Sequence, residues 1–443
     1  MRKFLLLMLF AAQSSLGATV TLLHFSDYHS HALPFYSEDQ PDRGGIARAI
    51  GYLEREHRRG ALVLSGGDMV NKGSPAWSDK FGCAEWPWFN GIVDAMAFGN
   101  HDSDYGYSWF QDCRSKLRYP VLSANTNGFQ RYEIFTVHGI RIGVFAIAGP
   151  DFNALVRTPG LRFSDTITAA REVVKILREE ERVDAVVLIG HEHTNDDFSL
   201  ARAVPGIDLI LGTHSHEKRE LTKIAGTSTW FIAPYQYLTY ISRVTLTFHE
   251  HRLARVQGTL VPVDASMKSS RTIQARVAGM QRELEHDPQY AALFEPLGTL
   301  DRSLSIDELA ARTLQAMRSA THADAAFSTI SSFRQPLAKG TLTLEDLRAS
   351  MPYDNDIVVC ELRGDALQAL YAAIDSRKGT DSFCYVSGPS SIDPSKTYRI
   401  ATTDYVAKIA YRKELACDAQ KSGFRVRDEL RKELTSARPK SGS

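Results

Sequence analysis

Seven side chains with the chemistry of metal ligands are spread along the first half of the chain. They are Asp27, His29, Asp68, Asn100, His191, His214 and His216. Carboxylate, imidazole and amide groups suit zinc, manganese and similar divalent ions, and the absence of thiolates argues against a closed structural zinc site. The spacings Asp-x-His and His-x-His direct both side chains of a pair to one side of an extended backbone. The set therefore predicts a centre for two divalent metal ions.

The position of these residues after predicted strands matters more than any one of them. A single Asp-x-His or Gly-Asp is a weak signal, because one buried histidine is more often an ordinary part of a core. Here every ligand-bearing loop follows one of five predicted strands. These strands are 20–24, 61–64, 95–98, 185–189 and 208–211. In open α/β sheets, ligands bind outside the carboxyl ends of the strands, so we expect these distant residues to meet at one site.

Length and charge limit the class of protein. A chain of 443 residues exceeds the usual size of one hydrophobic core and predicts two domains. Lysine and arginine together number 52, as do aspartate and glutamate, so no overall basic field attracts a nucleic acid polymer. No apolar stretch reaches the about 20 residues that a membrane-spanning helix needs. We expect a small-molecule substrate, no nucleic acid and no membrane span, and the oligomeric state stays open.

The N-terminal residues have the pattern of a secretory signal peptide. Arg2 and Lys3 precede an apolar run at 4–12, and mostly small or polar residues follow at 13–18. The alternative is a buried N-terminal strand. We predict a signal peptide at 1–18 and a mature protein that is periplasmic or secreted.

Export would allow the five cysteines to form disulfides. Cys83 with Cys113 and Cys360 with Cys384 are the pairs nearest in sequence, which leaves Cys417 over. Sequence alone does not fix the connectivity, so the pairing stays open.

Alternating predicted strands and helices indicate α/β structure in two domains. The first is predicted at 19–264. A polar and charged helical segment predicts a linker at 265–299, and a smaller second domain follows at 300–425. The charged end, 426–443, is expected to be a flexible tail.

Five sequence blocks resemble those of a known family. The blocks are LLHFSDYHSH, LSGGDM, FGNHDSDYG, VVLIGHEH and LGTHSH. They are similar to the calcineurin-like metallophosphoesterases and, more narrowly, to the bacterial 5′-nucleotidase and UDP-sugar hydrolase family, whose members are exported and carry a second C-terminal domain. The resemblance implies a four-layer αββα sandwich for the first domain, with a second, smaller α/β substrate-binding domain after it.

The resemblance also implies a role for each candidate ligand. One metal ion would be held by Asp27, His29 and His216, and the other by Asn100, His191 and His214. Asp68 would bridge the two ions, since a carboxylate has two oxygens. Paired ions can lower the pKa of a shared water toward about 7. The implied nucleophile is a metal-bound hydroxide rather than a side chain.

His101 and Asp104 match the family's catalytic pair. In the family the histidine stabilises the phosphoryl transition state or the leaving oxygen, and the aspartate three residues later orients it. A carboxylate behind an imidazole fixes its tautomer and favours the protonated ring. Asp102-Ser103 departs from the residue types that the family usually has between the two. His31 and His193 lie close to ligands in sequence and are either pocket-lining or surface residues.

The second domain resembles the family's substrate-binding domain less closely. Ser331-Ser332-Phe333-Arg334 stands where the family has a glycine-rich loop that ends in arginine. The resemblance would make Arg334 the phosphate-binding arginine, because a planar guanidinium meets two oxygens at once. The alternative is an ordinary surface arginine. The glycines that let the family's loop approach the substrate are missing here.

The family's two nucleobase-stacking rings are also not evident. Ile357 stands in the first place, and the second has no clear aromatic residue. Tyr353, Tyr405 or Tyr411 would be substitutes. The candidate substrate-binding residues are therefore Arg334, Asn100 and Tyr353.

These observations predict an exported hydrolase of phosphate esters with two divalent metal ions, most simply a 5′-nucleotidase-type phosphomonoesterase. A second hypothesis keeps the metals and changes the substrate to a sugar phosphate, cyclic nucleotide, UDP-sugar or sulfur-linked ester. A third, from a different class, is a non-catalytic binding protein that metal ions stabilise.

Overall fold

The computed structural model describes residues 17–378, 380, 382–415 and 417–436. Residues 1–16 of the predicted signal peptide lie outside the described residues. Ala18, the last residue of that prediction, is the first residue of a strand. Within the described ranges, no helix is long and apolar enough to cross a membrane.

Strands and helices alternate through the first domain. The strands are β1 (Ala18–Phe25), β2 (Phe35–Ser37), β3 (Gln40–Arg43), β4 (Leu62–Ser65), β5 (Ala95–Ala97), β6 (Val121–Leu122), β7 (Tyr132–Val137), β8 (Ile140–Ala148), β9 (Ala185–His191), β10 (Leu209–Gly212), β11 (Lys218–Lys223), β12 (Trp230–Pro234), β13 (Tyr240–His249) and β14 (Arg252–Pro262). The helices are α1 (Ile46–His57), α2 (Ala76–Phe81), α3 (Tyr107–Arg114), α4 (Phe152–Leu155), α5 (Thr166–Lys175) and α6 (Thr194–Ala203).

Two six-stranded sheets form the centre of this domain. Their strand orders are β14-β13-β1-β4-β5-β6 and β11-β12-β10-β9-β8-β7. Strands β1, β4, β5 and β6 run parallel in one sheet, and β12, β10, β9 and β8 run parallel in the other. Antiparallel strands β13 and β14 complete one side of the first sheet, and β11 and β7 are the antiparallel edges of the second. The parallel strands therefore end at a common edge of each sheet.

Both faces of the central strands are buried, as expected for parallel strands. On β1, Leu22 lies in the core between the two sheets, whereas Leu23 packs with residues of α1 such as Leu53. On β9, Ile189 lies between the sheets and Leu188 packs toward α5. Side chains alternate with period two, so one run of apolar residues fills two cores. The predicted four-layer αββα sandwich is confirmed.

The second domain follows a helix, α7 (Arg271–His286). Its strands are β15 (Pro296–Leu300), β16 (Ala325–Thr329), β17 (Gly340–Thr343), β18 (Asp356–Arg363), β19 (Cys384–Ser387), β20 (Thr397–Thr403) and β21 (Gln420–Arg425). Its helices are α8 (Ile306–Thr321), α9 (Leu344–Ser350), α10 (Gly364–Ser376) and α11 (Val426–Ser436). A five-stranded sheet in the order β19-β16-β20-β18-β21 has an apolar core on each face. The predicted smaller α/β domain is confirmed.

The structure corrects the predicted tail at 426–443. Residues 426–436 form α11, whose Val426, Leu430 and Leu434 are buried in the core of the second domain. These three residues recur every four positions on one helix face, but arginine, lysine and glutamate dominate the composition between them. The charged composition therefore concealed an amphipathic helix.

The predicted linker is likewise shorter than expected. Ile273, Val277 and Leu284 of α7 are buried in the core of the first domain. Residues 296–299, assigned to the linker, belong to β15, which pairs with β17. Such pairing between distant segments leaves no local signal in the sequence.

The described cysteines form two disulfides, Cys83–Cys113 and Cys360–Cys417. Cys384 is free and buried. Proximity in sequence therefore identified the first pair, and in the second Cys360 has a partner 57 residues away.

Candidate active site

The carboxyl ends of five strands bring the predicted metal ligands together. Asp27 and His29 follow β1, Asp68 follows β4, and Asn100 follows β5 in the first sheet. In the second sheet His191 is the last residue of β9, and His214 follows β10 with His216. Backbone hydrogen bonds join the first two loops, from Asp27 N to Gly67 O at 3.1 Å and from His29 N to Asp68 O at 2.9 Å.

One group of donor atoms consists of Asp27, His29 and His216. The Nε2 atoms of His29 and His216 lie 3.1 Å apart, and Asp27 Oδ1 is 3.4 Å from His216 Nε2. Both carboxylate oxygens of Asp27 are buried without a hydrogen-bond partner. An unpaired buried carboxylate is expensive, whereas a cation among these three groups would satisfy it. The group fits a divalent metal ion.

A second group consists of Asp68, His191 and His214. Asn100 belongs beside it, because its Oδ1 lies 3.2 Å from His191 Nε2. Asp68 Oδ2 lies 3.5 Å from His191 Nε2 and 3.7 Å from His29 Nε2, between the two groups. Burial would raise the pKa of Asp68, but the imidazoles of His191, His101 and His29 hold it well below its usual value. A carboxylate in this position can contact two cations at once.

Main-chain carbonyls orient two of the imidazoles. His29 Nδ1 lies 3.1 Å from Val70 O, and His191 Nδ1 lies 2.6 Å from Gly66 O. A carbonyl only accepts, so each Nδ1 carries the hydrogen and donates it. The lone pair is then on Nε2, which faces the donor group. Such outer hydrogen bonds are typical of metal-ligating histidines.

Asp151 plays the same part for His214, and the sequence analysis missed it. Its Oδ2 lies 3.1 Å from His214 Nε2 and 3.2 Å from His193 Nε2. Burial would raise the pKa of Asp151, but hydrogen bonds from the two imidazoles lower it below its usual value. Asp151 stands just beyond the end of β8, next to β9, so its position after a predicted strand could have identified it.

We expect Asp151→Ala to weaken the binding of divalent metal by about 10- to 100-fold, the usual effect of removing the outer partner of a ligating histidine. Zinc titration against a chelating dye would measure it. The matched control is Asp112→Ala, an exposed aspartate on α3. Equal affinity in both variants would show that His214 needs no carboxylate behind it.

The two other histidines near ligands are now placed. His193 lines the cavity beside Asp151, so it is a pocket-lining residue. His31 is buried, and its ring stacks on Tyr237 with centroids 3.5 Å apart. Its Nδ1 lies 3.0 Å from His29 O, so it supports the loop that carries His29.

Five of the predicted ligands adopt a backbone conformation that L-residues seldom use. Their φ angles lie between 47° and 54°, and they are Asp27, His29, Asp68, His214 and His216. A non-glycine residue held in this region costs about 1–3 kcal/mol, and such residues concentrate at functional sites. The backbone strain therefore lowers the stability of the fold, and in return these side chains are held in place at the site.

His101 and Asp104 form the predicted pair. His101 Nδ1 lies 2.7 Å from Asp104 Oδ2, and both residues face the cavity. Burial would lower the pKa of His101, but the carboxylates of Asp104 and Asp68 outweigh it and raise the pKa to about 10. The ring is therefore protonated at neutral pH. The His101 main-chain N–H donates to Asp68 Oδ1 at 2.8 Å, which fixes the pair to the candidate metal centre.

Asp102, which departs from the family's usual pattern, points away from the cavity. It is fully buried, and its carboxylate accepts hydrogen bonds from the N–H groups of Gly99, Asp68 and Met69 at 2.8, 3.2 and 2.8 Å. Asp102 thus holds the loops after β4 and β5 together beneath the site. Its position leaves the His101–Asp104 pair intact.

A cavity of about 520 Å³ lies between the two domains beside the donor groups. All three predicted substrate-binding residues, Arg334, Asn100 and Tyr353, line it. The Arg334 guanidinium contacts His216 Nδ1 and lies 5.9 Å from the centre of the Tyr353 ring. Tyr405 also lines the cavity and is 40% exposed, whereas Tyr411 is fully buried in the second domain. Tyr353 and Tyr405 therefore remain as candidate rings, and Tyr411 does not.

Comparison with known proteins identifies the class. Residues 20–218 match the calcineurin-like phosphoesterase model, and residues 302–391 match the 5′-nucleotidase C-terminal domain. The chain is therefore a metallophosphoesterase, which is a hydrolase. It belongs to the 5′-nucleotidase family, as the resemblance implied. The enzymatic interpretation is confirmed over that of a non-catalytic binding protein.

The similarity extends over most of the chain. Protein UshA of Yersinia enterocolitica is 26% identical over 88% of this chain and 85% of its own length. The 5′-nucleotidase of Vibrio cholerae is 25% identical over 83% of this chain and 77% of its own. Among solved structures, the 5′-nucleotidase precursor of Thermus thermophilus has a TM-score of 0.75 at 19% identity, covering 95% of this chain and 96% of that one. Sulfate thiohydrolase SoxB of Thermus thermophilus has a TM-score of 0.76 at 20% identity, covering 94% of each chain.

Proposed function

We propose that this protein is an exported phosphomonoesterase that hydrolyses nucleoside monophosphates with two bound divalent ions, zinc, manganese or similar. The observation that carries the proposal is that both groups of metal-ligating side chains lie beside one cavity. Asp68 lies between the groups, and Arg334 and His101 face the same cavity. The arrangement supports binding of a phosphate between metal ions on one side and cationic side chains on the other.

The proposed ligands of one ion are Asp27, His29 and His216. Those of the other are Asn100, His191 and His214, with Asp68 shared by both. When bound, such a pair stabilises negative charge on phosphoryl oxygens and makes water a nucleophile near neutral pH. Donor atoms of this kind exclude neither zinc nor manganese, so the identity of the metals is left to measurement.

Four side chains would then act on the ester directly. Arg334 presents a planar fork of donors that suits two oxygens of a phosphate. The protonated His101 would donate a hydrogen bond to the phosphoryl group or a proton to the leaving oxygen, while Asp104 holds its ring in place. Tyr353 and Tyr405 supply flat apolar faces for the leaving group.

The cavity favours a monoester over a pyrophosphate. Among the described residues that line it, Arg334 is the one lysine or arginine, and Asp104 and Asp151 bring negative charge to the same walls. A second phosphate would therefore find no second guanidinium and would lie near carboxylates. We expect UDP-sugars and nucleoside diphosphates to be poorer substrates than monophosphates for this reason.

The proposed location is the periplasm or the cell exterior. Two disulfides support it, because disulfides persist in oxidising compartments and are rare in the cytosol.

A specific observation supports a second class of substrate. Ser331, Ser332 and Phe333 replace the glycines of the family's loop, and Ile357 is fully buried, so the family's nucleobase clamp is incomplete. The second candidate function is the same chemistry on another ester, namely a sugar phosphate, cyclic nucleotide, UDP-sugar or sulfur-linked ester.

A substrate panel separates the two. The purified protein, loaded with zinc or manganese, would be assayed with AMP, UMP, glucose 1-phosphate, cyclic AMP, UDP-glucose and S-sulfocysteine. We expect kcat/KM for the nucleoside monophosphates to exceed that for the others by about tenfold or more, the effect of about 1.4 kcal/mol of extra transition-state binding. Weak activity on AMP beside strong activity on another ester would overturn the nucleotidase proposal and leave the phosphoesterase class standing.

A further inference from the structure

One segment of the first domain touches the candidate metal centre, the catalytic pair and the second domain. It comprises residues 70–79, directly after the loop of Asp68, and we name it the strap. At its start, Val70 O accepts the hydrogen of His29 Nδ1 at 3.1 Å. Two residues later, the Lys72 main-chain N–H donates to Asp104 Oδ2 at 3.1 Å. The same Asp104 oxygen lies 2.7 Å from His101 Nδ1. The position of Lys72 therefore affects the carboxylate that orients His101.

Asp79, the last residue of the strap, connects the strap to the rest of the first domain. Its Oδ1 accepts the Gly73 N–H at 2.9 Å and the Tyr105 hydroxyl at 2.7 Å. Tyr105 directly follows Asp104 in the chain. These contacts make the strap and the loop of the catalytic pair one connected unit, so a shift at Gly73 is transmitted to Asp104.

The second domain holds the strap through α9. Ala76 N donates to Glu345 Oε1 at 2.6 Å, and Ser74 Oγ donates to Arg348 O at 2.9 Å. The Arg348 guanidinium donates to Gly73 O and lies 3.6 Å from Asp79 Oδ2. The side chains of Arg348 and Glu345 are 17% and 14% exposed, so these contacts are largely shielded from water.

We propose that Arg348 and Glu345 are positioning residues for the reaction: by holding the strap against the second domain, they keep the Lys72 N–H on Asp104 and thereby His101 in its working orientation. Neither residue lines the cavity, so neither touches the substrate. The catalytic pair is then complete only while α9 is docked on the strap. This inference rests on the proposed function, since it assigns a job to the His101–Asp104 pair.

The alternative is that these contacts merely hold the two domains together. A loss of docking alone would weaken substrate binding in the cavity between the domains and raise KM. A displaced catalytic pair would instead lower kcat, because the histidine acts on the bound ester. The two explanations therefore differ in which kinetic constant changes.

The test compares Arg348→Ala, Arg348→Lys and Glu345→Gln in the metal-loaded full chain. The control is Arg363→Ala, a 66% exposed arginine of the second domain that pairs with Asp365. Each variant would be assayed for kcat, KM and bound metal, on whichever ester of the panel the unmodified enzyme turns over best. Hydrogen exchange of the strap amides would be measured beside it, and this readout requires no catalysis.

For Arg348→Ala we expect kcat to fall about tenfold, or about 1.4 kcal/mol, with KM changed less than about threefold. Bound metal should stay the same, the strap amides should exchange faster, and Arg348→Lys should recover part of kcat. Unchanged kcat, a rise in KM alone, or a loss of kcat that follows a loss of metal would each overturn the inference. If the unmodified enzyme turns over no ester at all, the proposed function fails; unchanged strap exchange in Arg348→Ala would separately overturn the coupling.

Discussion

Asp68→Ala protein is expected to lose both metal ions and at least about 10⁴-fold of its esterase activity. Asp68 Oδ2 lies within 3.7 Å of imidazoles from both donor groups, so its removal affects both. Paired ions supply several kcal/mol of transition-state stabilisation, and each 1.36 kcal/mol is a factor of ten in rate. Metal content by mass spectrometry of the desalted protein, together with kcat/KM on the best ester, would measure the two losses side by side.

A companion variant and a control make this result specific. Asp68 has φ of 51°, a region that asparagine tolerates better than alanine does, so Asp68→Asn removes the charge with less backbone strain. We expect it to lose metal as well. Asp208→Asn is the control, because Asp208 is a largely buried aspartate that accepts from Val186 N at 2.7 Å and precedes β10, at the opposite end of that strand from His214. If Asp68→Asn protein kept two ions and full activity, Asp68 would not be the bridging ligand.

The sandwich and its ligand-bearing edge were predictable because they depend on short-range regularities. Strands such as β9 are continuous apolar runs, and the polar residues directly after them mark the carboxyl ends. Parallel neighbours such as β1 and β4 end at one edge of a sheet, which brings Asp27 close to Asp68. His216 follows β10 in the other sheet, so its approach to Asp27, 189 positions earlier, also depends on how the two sheets stack. The geometry of the sheet, rather than any single motif, made the site predictable.

What could not be predicted depends on contacts between distant segments. Nothing near Cys360 in sequence indicates that it pairs with Cys417 rather than Cys384. In the hydrogen bond from Lys72 N–H to Asp104 Oδ2 the donor is a main-chain group, so the identity of residue 72 gives no signal of the contact. The left-handed backbone at His214 is likewise imposed by the fold around it, since residues other than glycine seldom adopt that conformation.

In the second domain, too, only some of the residues that face the cavity could be predicted from the sequence. Arg334 and Tyr353 were predicted from their places relative to the family's loops, and both line the cavity. Tyr405 and Tyr411 were equal candidates, yet one faces the cavity and the other lies beneath the Arg377 guanidinium, 4.1 Å from it. Both residues flank a π-helical turn at Val406–Ala410, where neither the helical nor the strand period applies. The sequence pattern therefore cannot say which ring points outward.

His101→Ala protein is expected to keep both metal ions and lose about 10²- to 10⁴-fold in kcat, the usual contribution of a positioned acid or base. Its side chain belongs to neither donor group, and the main-chain N–H that donates to Asp68 is present in alanine too. Metal content and kcat would again be measured together. His57→Ala is the matched control, since His57 forms a similar pair with Asp94, 3.2 Å apart, away from the cavity. Loss of metal with His101→Ala would make its role structural.

Activity on substrates with different leaving groups distinguishes the two roles that His101 could have in the reaction. If the imidazolium gives its proton to the leaving oxygen, the variant should lose much less activity on p-nitrophenyl phosphate than on AMP, because nitrophenolate leaves without a proton. If His101 instead stabilises charge on the phosphoryl group, kcat should fall equally on both substrates.

The variant Asp104→Asn should lose less activity than His101→Ala, with the same difference between the two substrates. Adding Asp104→Asn to His101→Ala should lower kcat little further, since the effects of residues that act as a unit are not additive. Fully additive losses would mean that Asp104 acts on the ester by some route other than His101.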